Sequence, residues 1–107
     1  MYSQPVTDES FADEVLASDI PVLVDFWSPG CRPCVAMSAV VAEVAREVEG
    51  RAKVVLANVM EAGDSALQHG VGRVPCFLVF RGGKLITQLS GIRSREELID
   101  ALGPLPE

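Results

Sequence analysis

The chain is poor in positive charge and has no long apolar segment. Nine Lys and Arg residues stand against fifteen Asp and Glu residues, which gives a net charge of −6. No run of basic residues forms the stripe that binds phosphates, so we expect no nucleic acid partner. No apolar run approaches the roughly 20 residues that cross a bilayer, and the N-terminus lacks the basic and apolar regions of a signal peptide. We therefore expect a cytoplasmic protein without membrane contact.

Cysteine and histidine are also scarce, with three residues and one residue respectively. A small, odd number of cysteines argues against a secreted scaffold held together by disulfides. The fold must then depend on a buried core. A chain of 107 residues with 49% hydrophobic content suffices for a single domain over residues 1–107. We expect this domain to be a monomer.

The order of apolar patterns predicts an α/β fold. Short valine-rich runs are typical of buried strands, and apolar residues at three- and four-residue spacing are typical of helices. The expected elements are a short strand around Pro5 and Val6, helix 7–18, strand 21–27, helix 33–49, strand 52–60, helix 63–70 opened by Asp64, a hairpin 76–89 turning on Gly82 and Gly83, and helix 94–102 with Ser94 and Glu97 as a capping-box pair. This alternation predicts a central mixed sheet with helices on both faces.

The motif Cys31-Arg32-Pro33-Cys34 begins the longest predicted helix, directly after a buried strand. Two cysteines so spaced on a first turn bring their sulfurs within bonding reach, and the helix N-terminus favours a thiolate. Cys31 lies nearer the helix end, so we expect it to be the nucleophile. Pro33 suits the first turn because it has no N–H to leave unpaired.

The alternative to redox chemistry at this motif is a metal site. Structural zinc needs four ligands, and only Cys76 and the single His69 could join Cys31 and Cys34. Cys76 follows Pro75 at a strand, where neighbouring side chains point to opposite faces, so we expect Cys76 to point into the core. We expect His69 to be a surface residue with no role. The sequence therefore favours redox chemistry and no metal.

Asp25 interrupts the apolar strand 21–27. An ionised carboxylate is costly in such surroundings, so burial should raise its pKa and allow it to accept the proton of Cys34. The alternative is that Asp25 faces water at the end of the strand. Trp27, which closes the same strand, is expected to belong to the core.

Three segments, VDFWSPGCRPC, VGRVPCFLVFRGGK and SGIRSREEL, carry a family resemblance. In their order and spacing the chain resembles thioredoxins along nearly its whole length. The resemblance implies the three-layer thioredoxin fold and a protein-disulfide reductase in which Cys31 attacks a client disulfide and Cys34 resolves the mixed disulfide. The Cys31–Cys34 disulfide would then be the redox group, with no separate cofactor. A thioredoxin reductase would be the electron donor.

The resemblance also implies roles for residues around the cysteine pair. Asp25 matches the family's buried carboxylate, Pro75 its cis-proline and Gly91 the glycine of its client-facing loop. The residues expected to contact client proteins are Gly30, Arg32, Pro33, Val74, Pro75 and Gly91.

The chain departs from the family pattern close to the cysteine pair. Gly30 stands where many members have Trp, which removes a flat apolar contact for clients. Arg32 replaces a glycine, and its cation should favour the Cys31 thiolate by on the order of 1 kcal/mol and make the oxidised form a stronger oxidant. Leu56 stands where a lysine is common, so Asp25 loses a possible charge partner and its proton affinity should be higher than usual.

Two other functions remain open from the sequence. One is a metal or iron–sulfur protein that uses Cys31, Cys34 and Cys76, including a form in which two chains share the ligands. The other is a binding module that keeps the fold but mainly holds a partner, an alternative raised by Gly30, Arg32 and the lysine that Leu56 replaces.

Overall fold

The structure is a computed structural model that describes residues 3–106. The strands in this range are β1 (Ser3–Val6), β2 (Val22–Trp27), β3 (Lys53–Asn58), β4 (Cys76–Arg81) and β5 (Lys84–Ser90). The helices are α1 (Asp8–Phe11), which continues as a π-helical segment (Ala12–Leu16), α2 (Arg32–Val48), α3 (Gly63–Gln68) and α4 (Arg95–Ala101). Every element predicted from the sequence is present, with ends that differ by a few residues.

The five strands form one mixed sheet in the order β1-β3-β2-β4-β5. β1, β3 and β2 are parallel, whereas β4 runs antiparallel to β2 and β5 antiparallel to β4. The parallel pairs require crossover connections, which α1 and α2 supply, and the antiparallel pair β4–β5 needs only a tight turn. The predicted mixed sheet is therefore confirmed.

Alternation of side chains along β2 gives the sheet two separate cores. Val22, Val24 and Phe26 pack on the face covered by α1 and α3. Leu23 packs on the opposite face, which α2 and α4 cover. Helices on both faces make the three-layer arrangement predicted from the sequence, and Asp25 lies on the same face as Leu23.

The helix ends show which sequence signals were correct. The predicted capping box begins α4, where Ser94 Oγ accepts the Glu97 N–H at 3.1 Å and Glu97 Oε1 accepts the Ser94 N–H at 2.9 Å. α3 begins at Gly63, as predicted, and Asp64 lies in its first turn. That turn is bonded from α1 by Asp8, whose Oδ1 accepts the Ser65 N–H at 2.8 Å. No helix within residues 3–106 is long and apolar enough to span a bilayer.

The turn between β4 and β5 depends on two glycines, as predicted. Gly82 and Gly83 have φ angles of +55° and +79°, in the left-handed region that side chains with a Cβ adopt only with strain. A Cβ on Gly83 would lie 2.9 Å from the carbonyl oxygen of Leu16, whereas a Cβ on Gly82 would meet nothing within 4 Å. Gly83 therefore also allows the hairpin to approach the end of the π-helical segment.

Alanine at these two glycines should destabilise the chain unequally. Gly82→Ala should lower the free energy of unfolding by about 1 kcal/mol, because only the backbone conformation is strained. Gly83→Ala should lower it by about 2 kcal/mol or more, because the clash with Leu16 is added. Urea denaturation of both variants measures the difference, and equal losses would contradict the role given to Gly83.

Candidate active site

The ends of four strands meet at one edge of the sheet. Trp27 at the end of β2 pairs with Asn58 at the end of β3, and Phe26 pairs with Cys76 at the start of β4. Cys76 in turn pairs with Ser90, the last residue of β5. The segments that follow β2 and β5 and the segment that precedes β4 therefore lie at the same edge. All six of the residues expected to contact clients lie in these three segments, if the first turn of α2 is counted with the segment that follows β2.

Cys31 and Cys34 form a disulfide at the start of α2, with their Cα atoms 5.2 Å apart. Cys31 is the N-cap residue, in an extended conformation, and its Sγ accepts the Cys34 N–H at 3.1 Å. Its own N–H donates to Ser28 O at 3.1 Å, which fixes the turn between β2 and the helix. A backbone N–H directed at sulfur from a helix N-terminus stabilises negative charge on that sulfur.

The two cysteines differ in their access to solvent. Cys31 is half-buried, whereas Cys34 is only 6% exposed. Arg32 and Pro33 occupy the first turn of α2 between them and are both exposed, and Pro33 stands where the sequence placed it. An attacking partner can therefore reach Cys31 more easily than Cys34.

The segment before β4 contains the cis peptide bond that the resemblance implied, between Val74 and Pro75. Pro75 is buried and Val74 is half-buried. The Pro75 carbonyl oxygen accepts the Gly91 N–H at 2.9 Å, and Gly91 has a φ of +85°. This hydrogen bond joins two of the expected client-facing segments. Gly30 is exposed in the turn just before Cys31.

Asp25 is 6% exposed, so the interpretation that it faces water is wrong. Its register partners are Leu56 on β3 and Phe77 on β4, both apolar. Its Oδ1 atom is buried and has no hydrogen-bond partner within residues 3–106. Because desolvation disfavours the charged form, burial raises the pKa of Asp25 to about 7. The rise in pKa that the sequence analysis expected from burial is confirmed.

Asp25 and Cys34 line the same cavity, which lies between the sheet and the first half of α2. The cavity has a volume of about 230 Å³ and its walls are mainly apolar. Its lining residues are Ser3, Asp25, Trp27, Cys34, Val35, Ser38, Val41, Ala42 and Leu56. Trp27 was expected to belong to the core, but it is half-buried and forms part of this wall. The sequence contained a signal for this position of Trp27. Residues 25 and 27 are two apart on β2, so their side chains share one face of the strand.

The third cysteine does not join the pair. Cys76 is buried in the core beneath α1 and α3, whereas Cys34 belongs to the helix that covers the opposite face of the sheet. The expectation that Cys76 points into the core is confirmed, and burial raises the pKa of its thiol. Within residues 3–106, no three His, Cys, Asp or Glu side chains are grouped so that they could hold a metal ion. A single chain therefore cannot bring Cys31, Cys34 and Cys76 to one metal.

His69 is not the surface residue that the sequence suggested. It is half-buried, and its ring lies 5.4 Å from the ring of Phe11 and 5.1 Å from that of Phe80. Its Nδ1 lies 2.9 Å from the Ser65 carbonyl oxygen. Imidazole has an apolar body as well as polar atoms, so it can close the edge of an aromatic cluster. His69 lies on the face opposite Asp25 and takes no part in the site.

The buried carboxyl group should make stability depend on pH. The pKa of Asp25 rises from its ordinary value of 3.8 to about 7 on folding, so the protonated group favours the folded chain. That contribution is complete below about pH 4 and is lost as the pH rises through about 7, a change of about 4 kcal/mol at about 1.4 kcal/mol per unit.

Urea denaturation of the oxidised protein measures this dependence. As the pH rises from about 4 to about 8, the free energy of unfolding of Asp25→Asn should increase by about 4 kcal/mol relative to that of wild type. Ser38→Ala, which changes the same cavity without a titratable group, should retain the wild-type dependence. A difference between Asp25→Asn and wild type that does not change with pH would contradict the burial argument.

Comparison with known proteins agrees with this geometry. The Thioredoxin family model matches residues 3–103. The chain is 42% identical to Thioredoxin 1 from Nostoc sp. and 39% identical to Thioredoxin from Synechocystis sp., in each case over 97 residues and 91% of both chains. It is 37% identical over 92 residues to Thioredoxin C-2 from Corynebacterium nephridii, covering 86% of this chain and 85% of that one. Sequence and disulfide geometry thus agree that the chain belongs to the thioredoxin family and is a thiol–disulfide oxidoreductase that reduces protein disulfides.

Proposed function

We propose that Cys31 is the nucleophile and Cys34 the resolving thiol of this reductase. The Cys31 thiolate attacks one sulfur of a client disulfide, forms a mixed disulfide and releases the other client sulfur as a thiolate, which takes a proton from water. The Cys34 thiolate then attacks Cys31 Sγ and releases the second client thiolate. The client gains two electrons, and the Cys31–Cys34 pair becomes a disulfide. The observation that carries this order is the hydrogen bond from the Cys34 N–H to Cys31 Sγ at the helix N-terminus.

Asp25 is the proposed acceptor of the Cys34 proton. The two residues line one cavity, and the Oδ1 atom of Asp25 has no hydrogen-bond partner within residues 3–106. A pKa of about 7 suits a general base that must both take up and release a proton near neutral pH. After the second attack, Asp25 returns the proton to water.

The client-binding surface is proposed to lie at the strand-end edge around the disulfide. Convergence of three segments at that edge supports it, as does the hydrogen bond between Gly91 and Pro75, which holds two of them together. The proposed contact residues are Gly30, Arg32, Pro33, Val74, Pro75 and Gly91. Gly30 offers no side chain beside Cys31, so contacts there would be made through the backbone.

Thioredoxin family proteins act on disulfide substrates and are reduced by thioredoxin reductase. We propose that a thioredoxin reductase also supplies electrons to this chain, and that client proteins with accessible disulfides receive them. Residues 1–107 are proposed to act as a single monomeric domain that needs no separate cofactor. A dithiol reductase with a small, odd number of cysteines suits the reducing cytoplasm, which is the proposed location.

The redox pair is tested by equilibrium titration in dithiol redox buffers. Free thiols are trapped by alkylation, and each cysteine is counted by mass. Cys31 and Cys34 should exchange two electrons together, while Cys76 stays free throughout. A pair that resists oxidation, or three thiols that react only after a chelator is added, would contradict the proposed chemistry.

Single serine variants should separate the roles of the three cysteines. Cys31→Ser should abolish reduction of a protein disulfide, because the attacking sulfur is missing. Cys34→Ser should accumulate a mixed disulfide between Cys31 and the client, visible by mass, because nothing resolves it. Cys76→Ser is the matched control and should retain activity. Full activity in a double Cys31→Ser, Cys34→Ser variant would instead indicate a binding module.

The cation of Arg32 should raise the midpoint potential of the pair. About 1 kcal/mol of thiolate stabilisation corresponds to roughly 20 mV for a two-electron couple, so Arg32→Gln should have a midpoint about 20 mV lower. The difference should shrink at about 1 M salt, because the site is exposed. Arg46→Gln, at the far end of α2, should leave the midpoint unchanged. An equal or higher midpoint in Arg32→Gln would show that the charge does not act on Cys31.

A further inference from the structure

The cavity beside Asp25 combines an apolar wall with one buried carboxyl group. Asp25 is its acidic lining residue, and the hydroxyl groups of Ser3 and Ser38 are its other polar side chains. Asp25 Oδ1 has no partner within residues 3–106, although buried polar atoms in folded proteins nearly always have one. None of the described side chains that line the cavity donates a hydrogen bond to this oxygen.

The lining residues of the cavity include no Lys, Arg or His that could serve as that donor. Leu56, the register partner of Asp25 on β3, fills this part of the wall with hydrocarbon. The lysine nearest to it on the strand, Lys53, is held by Glu14, with Nζ 2.7 Å from Oε1. An external cation would therefore meet no competitor among the lining residues.

The cavity also has a defined size and an aromatic wall. Its volume of about 230 Å³ exceeds the roughly 150 Å³ of an apolar cavity that binds benzene, which leaves room for a short polar group beside a ring. Trp27, the single tryptophan of the chain, lines it and can contact either a ring or a cation.

We propose that this cavity is a binding site for a small primary amine whose apolar body is about the size of a benzene ring. The ammonium group donates hydrogen bonds to the Asp25 carboxylate, and the apolar body packs against Trp27 and Leu56. In these apolar surroundings, direct contact between ammonium and carboxylate compensates the desolvation of both charges. A neutral ligand of the same shape lacks this contact and should bind more weakly.

Benzylammonium is the probe, and benzyl alcohol is its neutral match. The oxidised protein is titrated with each at about pH 8, where the pKa of about 7 leaves Asp25 mostly ionised, and Trp27 fluorescence reports binding. Benzylammonium should bind at least about tenfold more tightly than benzyl alcohol, a ratio equal to about 1.4 kcal/mol. Amide chemical-shift changes should centre on Ser38 and Ala42, which places the ligand in the cavity.

Two variants test the contacts. Asp25→Asn should bind the two probes equally, because the carboxylate is lost while the shape is kept. Leu56→Lys should bind neither, because its own ammonium occupies the site. Leu67→Lys, at an exposed position on α3 away from the cavity, adds the same charge and should bind as wild type does. Thermal unfolding of each variant establishes that it is folded.

Equal binding of the two probes by wild type would overturn the proposal without recourse to any variant. So would a preference for benzylammonium that survives in Asp25→Asn, or shift changes that avoid Ser38 and Ala42. Binding to the oxidised protein involves no proton transfer and does not rest on the proposed role of Asp25 in catalysis. If benzylammonium binds but does not slow disulfide reduction, the role of Asp25 as base fails while the site stands.

Discussion

The position of β2 between a parallel and an antiparallel neighbour is the constraint on which the rest of the structure depends. Because β3 runs in the same direction, the ends of both strands lie at one edge. Because β4 runs in the opposite direction, its start lies there as well. In a sheet of parallel strands alone, only the C-terminal ends of strands would lie at the edge with the disulfide. Because β4 is antiparallel to β2, the Val74–Pro75 peptide bond before β4 and Gly91 after β5 lie at this edge as well.

The same central position explains the properties of Asp25. A strand paired on both sides and covered by helices on both faces has no solvated position along most of its length. Placing a carboxyl group there raises its proton affinity and destabilises the folded chain at high pH. The same carboxyl group lines one cavity with Cys34 and is the proposed acceptor of that residue's proton. Leu56, the register partner of Asp25 on β3, contributes hydrocarbon to the same cavity.

The sheet also separates groups that the sequence brings close together. Cys76 is next to Pro75 in the chain, yet its side chain lies in the core beneath α1 and α3. The disulfide and Asp25 lie on the side of α2. His69 lies on the same side of the sheet as Cys76, where it contacts Phe11 and Phe80. The disulfide and Asp25 thus lie on the face of the sheet opposite to Cys76 and His69.

The sequence by itself determined the order of elements, the mixed sheet and the redox pair, because these depend on local signals. Strand runs, the Gly82-Gly83 turn and the spacing of Cys31 and Cys34 act over a few residues each. Only the tertiary structure decided that Trp27 lines a cavity, that His69 is packed among aromatic rings and that Asp8 rather than Asp64 bonds the first turn of α3. Each of these outcomes depends on a contact between elements distant in the chain. Periodicity shows which face of an element a residue occupies, but not which partner meets it there.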